Sequence, residues 1–184
     1  PLVLFTIRSK IGKQTHIYPL SSIGDSPQDM KYNDEDTQLE IGDRNTIREC
    51  CTINKGTIQD TGITRLGNDN WTMAYVHIAH DCQIGNNTIF ANNATLGGHV
   101  EVGDYAIFGG FSGAHQFCKI GSHSFLVIYE VLVTDRNPYV IVVGQPAPHK
   151  WHNIAGFKKR YYTDEQNRNI TTRFKQLYNY ELRL

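Results

Sequence analysis

Apolar residues recur every sixth position through the middle of this chain, without a slip over twelve repeats. They are Leu66, Thr72, Ile78, Ile84, Phe90, Leu96, Val102, Phe108, Ala114, Ile120, Leu126 and Leu132, with Thr72 the one polar member. Small residues recur four places after many of them, as at Cys82, Thr88, Ala94, Ala106, Ser112, Cys118 and Ser124. An α-helix needs a period near 3.6 and a half-buried strand a period of 2, so neither accounts for six. A parallel β-helix does: each six-residue unit makes one short strand and a turn, and three units close a triangular coil. The apolar residue points into the prism, and the small one fits where the wall bends.

This period is also a ruler, because residues 18 apart stack along one face, with neighbouring coils ~4.8 Å apart. In the repeats led by Ile78, Leu96 and Ala114, the third residue is His80, Gly98 and Gln116, so these three form one column. His99 and His115 lie one place from it and His77 three, so four of the eight histidines converge on one strip. A lone histidine is more often structural than catalytic; four gathered by geometry point to a site.

The remaining sequence bounds the architecture. At 184 residues, one domain with a small appendage is the natural prior. An earlier set of repeats runs through Ile11, Ile17, Ile23, Ile41, Ile47 and Ile53, interrupted by polar insertions near 24–38 and 56–65. The β-helix is expected over 1–143, and a linker with a C-terminal helical segment over 144–184. Asn153 reads as the N-cap of a short basic helix running to Arg160, and Thr163 to Gln166 as the capping box of a second, with Ile170, Phe174, Leu177 and Tyr178 at helical spacing. These helices are expected to cover the open end of the solenoid. The fold is thus mainly β: a left-handed parallel β-helix of hexapeptide repeats with a small C-terminal α-helical appendage. The opening at Pro1, in mid-pattern and without Met, is expected of a piece of a longer chain.

Eighteen basic and eighteen acidic residues balance, so no overall field argues for nucleic acid or a membrane surface. No apolar run spans a bilayer and no signal pattern appears, which reads as a cytoplasmic protein. Cys82 and Cys118 sit two coils apart, roughly 10 Å, beyond the ~7 Å reach of a disulfide. Cys50 and Cys51 are neighbours expected to face opposite ways, so all four thiols are expected to be free. Flat prism walls commonly pack around a threefold axis, so a homotrimer with clefts between subunits is expected.

An unperturbed imidazole titrates near pH 6.5 and can take and return a proton near neutrality. No serine or cysteine is placed beside the strip as a nucleophile, so the nucleophile must come with the substrate, for example as a sugar hydroxyl. His80 would act as its general base. Gly98, one coil away and without a side chain, could bring its N–H to an acyl carbonyl as oxyanion donor. Together these specify acyl transfer. Gly97 beside it keeps simple turn geometry as the competing explanation for Gly98.

The blocks His77-Ile-Ala-His80-Asp-Cys82, Ala91-Asn-Asn-Ala-Thr-Leu-Gly-Gly-His99, His115-Gln-Phe-Cys118 and Gln28-Asp-Met-Lys31 resemble the bacterial UDP-N-acetylglucosamine O-acyltransferase family of lipid A biosynthesis. The resemblance runs from about Pro1 to Arg160. It implies transfer of a 3-hydroxyacyl chain from acyl carrier protein to the glucosamine 3-hydroxyl of UDP-N-acetylglucosamine. No cofactor is implied beyond the carrier's own phosphopantetheine. His80 matches the general base, Gly98 the oxyanion glycine, and Asp81 a partner that orients the base, although strand alternation would send Asp81 to the other face. Gln28, Asp29 and Lys31 match substrate contacts on the first polar loop, which could reach into a neighbouring subunit's cleft. His77, His99, His115 and Gln116 match the wall contacting sugar, diphosphate or pantetheine, and Asn153 and Arg160 match nucleotide and phosphate contacts.

Three positions depart from the family pattern. Ala155 stands where an acidic residue is usual, and Lys159 replaces an arginine, losing its planar fork. Ile128 stands where long-chain members carry glycine at the floor of the acyl groove, in the altered stretch that begins at Phe125, so a shorter acyl chain is expected. Lys158, Lys159 and Arg160, with Arg8, Lys10 and Lys13, are candidates for a basic rim that steers the acidic carrier. Three other readings remain open: a γ-carbonic-anhydrase-like zinc enzyme built on the histidines, another hexapeptide acyltransferase, and a non-catalytic assembly solenoid.

Overall fold

A computed structural model describes residues 2–6, 9–144, 149–153, 156–157, 160 and 162–178. Its strands form three sheets, the walls of a left-handed prism. The first wall runs from Leu4–Phe5 through Ser22–Asp25, Thr52–Asn54, His77–Ile78, Thr95–Leu96 and Gly113–Ala114 to Val131–Leu132. The second runs from Ser9–Ile11 to Lys119–Ile120, and the third from His16–Ile17 to Val140–Val142, with His149–His152 added antiparallel at its end.

The registers obey the 18-residue ruler: Ile78 pairs beside Leu96, and Leu96 beside Ala114. It is broken twice. Ile23 pairs with Ile53, thirty residues on, and Ile41 with Leu66, twenty-five on. The two insertions therefore add twelve and seven residues to a plain coil. The second is shorter than the interval 56–65: Ile63–Leu66 is already strand, in register with Gln38–Ile41.

The sixth-place residues fill the prism, with Ile23, Ile53, Ile78, Phe90, Leu96, Phe108, Leu126 and Leu132 each 0 % exposed. Burying such a side chain stabilises the fold by about 1.5–3 kcal/mol. Cys51, Cys82 and Cys118 are buried, Cys50 is half-buried, and all four thiols are free. Burial pushes the Cys82 thiol up to about 12, so it is no nucleophile.

Each corner is turned by a residue in the left-handed backbone region, every sixth position from Asp69 to Tyr129. None of these is glycine, and such a conformation costs an ordinary residue about 1–2 kcal/mol. Hydrogen bonds to the preceding coil offset it, as in His99 N–H to His80 O (3.0 Å), Phe117 N–H to Gly98 O (3.0 Å) and Tyr105 N–H to Asn86 O (2.8 Å).

Beyond the solenoid, Thr163 and Gln166 exchange the two hydrogen bonds of a capping box, and an α-helix follows over Asp164–Tyr178. Phe174 on its inner side joins the core. Asn153 caps a helical turn through Gly156 N–H (3.0 Å). Ala155, Lys158, Lys159 and Arg8 lie outside the described residues.

Candidate active site

The corner between the first and second walls carries His80, Gly98 and Gln116, one per coil, as the ruler requires. A cleft of about 430 Å³ opens there, lined by His80 with Gln28, Asp29, Lys31, Asn54, Gln59, His77, Ala79, His99, Gln116 and Phe117. Both insertions fold over the same corner, which is how Gln28, Asp29 and Lys31 reach the histidines of their own chain. The expectation that they reach a neighbouring subunit is not needed to complete this cleft.

Gly98 meets the His80 imidazole face on. A Cβ built on it would lie 2.5 Å from His80 Cε1 and 2.7 Å from Nε2. Gly98 is absent from the positive-φ residues, so turn geometry does not explain it. Contact with the ring does. Among the described residues its N–H makes no backbone hydrogen bond, so the donor is free beside the imidazole.

Asp81 is where strand alternation misleads. It occupies the left-handed corner position at φ 59°, which swings its side chain to the same side as His80. Its side chain is 0 % exposed, and Oδ2 lies 2.9 Å from His80 Nδ1. Thr57 donates its N–H to both carboxylate oxygens (2.9 and 3.1 Å) and its hydroxyl to Oδ2 (2.6 Å). Burial alone would raise the Asp81 pKa; the hydrogen bonds from His80 and Thr57, with His99 nearby, outweigh it and hold the carboxyl below its usual range. An ionised carboxylate only accepts, so His80 Nδ1 carries the proton and Nε2 keeps its lone pair.

The other imidazoles are held as well. His99 stacks on Phe117 (centroids 4.5 Å), meets His80 edge-on (5.0 Å), and places Nδ1 3.0 Å from Asp60 Oδ2. His77 Nδ1 contacts Thr52 Oγ1 at 2.7 Å, and burial, then the nearby His80, lower its pKa. His115 is exposed, with Nδ1 3.3 Å from Gln116 O, and lies off the cleft lining. His80, Asp81 and His99 offer three possible ligand atoms within 4.8 Å of one another. Both Nδ1 atoms there already face carboxylates.

Asn153 and Arg160 lie elsewhere. Asn153 is 3 % exposed and donates to His123 O (2.9 Å); Arg160 donates to Tyr105 O (2.8 Å). Both serve the corner between the second and third walls. Ile128, 54 % exposed, and Phe125 belong to the third wall and the corner that follows it, across the first wall from His80. The basic rim does not assemble among the described residues. Lys10 is paired with Glu40 at 3.0 Å, and Lys13 lies four coils, roughly 19 Å, from the coil that Arg160 touches. Thr57, Asp60, Asn54, Gln59 and Phe117 carry no signal of their own among the motifs. Phe117 was available to the ruler, being 18 residues past His99, and Asn54 follows the counted Ile53 on its strand; Thr57, Gln59 and Asp60 ride on the second insertion, where the ruler fails.

Residues 63–98 match the family model described as bacterial transferase hexapeptide (six repeats). A Verminephrobacter eiseniae protein described as acyl-[acyl-carrier-protein]–UDP-N-acetylglucosamine O-acyltransferase is 48% identical over 177 residues, covering 96% of this chain and 68% of that protein. The chain belongs to the UDP-N-acetylglucosamine O-acyltransferase family. A relative of the same description from Thiobacillus denitrificans is 54% identical over 88% of this chain and 63% of its own length. The chain thus spans roughly two thirds of the curated acyltransferases that it matches. A crystal structure of UDP-N-acetylglucosamine O-acyltransferase from Moraxella catarrhalis superposes with a TM-score of 0.95 at 42% identity, covering 98% of this chain and 70% of that one.

Proposed function

We propose that this chain transfers a 3-hydroxyacyl group from the thioester of acyl carrier protein to the 3-hydroxyl of UDP-N-acetylglucosamine, the opening step of lipid A synthesis. The observation that carries the reading is the His80 imidazole seated on the Gly98 backbone, its Nδ1 committed to a buried carboxylate. His80 Nε2 takes the proton of the sugar hydroxyl as its oxygen attacks the thioester carbonyl. The Gly98 N–H donates to the oxyanion of the tetrahedral intermediate. The C–S bond then breaks, and the proton on Nε2 passes to the departing thiolate. Gln28, Asp29, Lys31, His77, His99 and Gln116 surround the sugar and its diphosphate. His115, exposed beside Gln116, serves as an outer contact, whereas Asn153 and Arg160, held at the far corner by His123 O and Tyr105 O, take no part in this cleft. The reaction needs no cofactor of the protein's own, and we place it in the bacterial cytoplasm. No helix among the described residues is long and apolar enough to cross a membrane.

The walls support a homotrimer. The third wall turns Trp71, Ile89, Ile107 and Phe125 outward, whereas the second carries Lys10, Glu40, Arg65, Gln83, Glu101 and Lys119, joined by ion pairs such as Arg65–Glu40 (3.1 Å) and Lys119–Glu101 (2.9 Å). The charged wall suits solvent and the apolar wall suits burial against another copy.

The deciding experiment supplies UDP-N-acetylglucosamine with acyl-carrier thioesters of graded length and assays the acylated sugar. His80→Ala should lower turnover by about 10²–10⁴-fold; an unchanged rate rejects the mechanism. The zinc reading, favoured only by the spacing of His80, Asp81 and His99, predicts stoichiometric metal and loss of turnover on chelation, and acyl transfer predicts neither.

A further inference from the structure

The second insertion looks at first like a surface excursion, yet it is closed at its neck and its inner end is buried. A Cβ on Gly56 would lie 2.4 Å from both Gly62 C and Ile63 N, so the loop's two ends are in backbone contact. Gly56 N–H donates to Gln38 O (3.1 Å) and Gln38 N–H to Gly62 O (2.9 Å), tying both ends to the neighbouring coil. Thr57, the first residue past the neck, is 1 % exposed. It turns both donors, N–H and hydroxyl, onto Asp81.

We propose that Thr57 is a positioning residue for the acyl-transfer reaction: its hydroxyl fixes the Asp81 carboxylate that holds His80 in the Nδ1–H tautomer. The inference rests on the function proposed above and extends it to a residue that does not touch the substrate. Asp81 Oδ2 receives two strong donors, the Thr57 hydroxyl at 2.6 Å and His80 Nδ1 at 2.9 Å. On the other side, Asp81 N–H donates to Thr64 Oγ1 at 2.7 Å, which anchors the backbone to the strand that ends the insertion. With the backbone pinned, the remaining freedom of Asp81 is rotation of its carboxyl group. The Thr57 pair of donors removes it, because a carboxylate gripped on both oxygens presents one fixed lone pair to the imidazole. Without the hydroxyl, the Thr57 side keeps only one N–H shared between the two oxygens, and the carboxylate is freer to turn about its terminal torsion, which is broad. His80 then samples the tautomer whose Nε2 holds a proton and cannot act as a base. Groups that orient a reacting imidazole typically contribute about 10–100-fold, as partners of metal-bound histidines do.

Thr57→Val removes the hydroxyl and keeps shape and N–H. It should lower kcat by about 10–100-fold with KM for the sugar nucleotide changed less than about twofold, and Thr57→Ser should recover most of the loss. In an Asp81→Ala background, Thr57→Val should cost nothing further, because its effect passes through the missing carboxylate. An equal loss in both backgrounds, or no loss in the parent, overturns the proposal. Imidazole ¹⁵N spectra provide a readout independent of turnover: His80 should be Nδ1-protonated in the parent and in Thr57→Ser, and mixed in Thr57→Val. An unchanged tautomer in Thr57→Val likewise overturns it. If the parent transfers no acyl group from any thioester, the proposed reaction fails, and the spectra still decide the role of Thr57.

Discussion

His80 works only because the residue one coil above it has no side chain. Gly98→Ala would place a methyl group 2.5 Å from His80 Cε1, closer than carbon atoms approach. The ring must move off the backbone amide that it shares the site with. Turnover should fall by about 10²–10³-fold, the scale of a lost oxyanion donor, while the unfolding midpoint in urea stays near that of the parent. A large drop in that midpoint would instead make Gly98 a folding residue. Ile128 makes the complementary case. It is exposed, and its Cδ1 would sit 3.8 Å from a Cβ at Gly110, so its bulk is turned outward rather than used for packing. Ile128→Gly should shift the preferred donor towards longer chains, read as the ratio of kcat/KM across the thioester series. An unmoved preference would locate the length gauge elsewhere.

Among the elements, the strands were the most legible and the insertions the least. Strand positions follow from a spacing that any reader can count, because each inward residue must land on the one below. That reasoning brought His80, Gly98 and Gln116 to one corner. It broke down at Asp81, where alternation assumes an extended backbone and the corner is left-handed. It also broke down at Thr57 and Asp60, since a loop of seven added residues has no period to count. Asn153 and Arg160 show a further limit: a family motif names residues without saying which wall they will face. The C-terminal helix was marked by its capping box. Thr163→Ala should cost roughly 1 kcal/mol, seen as a lower thermal midpoint for the helix signal; a neutral result would mean that Phe174 alone docks it.

Over the whole molecule, one aromatic column joins solenoid to appendage. His123 lies stacked between Tyr105 (4.8 Å) and Tyr139 (5.1 Å), with Tyr162 Oη 3.1 Å from its Nε2. Burial, then the neighbouring Arg160, push its pKa down to about 4, while Asp104 acts the other way. The unfolded chain therefore binds a proton at His123 that the folded chain refuses. Stability should be full above about pH 6.5 and decline as pH falls towards 4. Replacing the imidazole by an isosteric apolar ring, His123→Phe, should flatten that limb of a midpoint-against-pH curve. A limb of unchanged slope would assign the acid sensitivity to other groups.

The eighteen-residue coil has one more consequence, for how such a chain can change its length. Removing one hexad between His80 and Gly98 would leave the apolar sixth-place pattern intact. It would nevertheless screw everything downstream round by a third of a turn, carrying the glycine away from its imidazole. Only gains and losses of complete circuits preserve the alignment, unless the extra residues bulge clear of the prism, as both insertions here do. In this architecture the solenoid tolerates many edits that the chemistry does not.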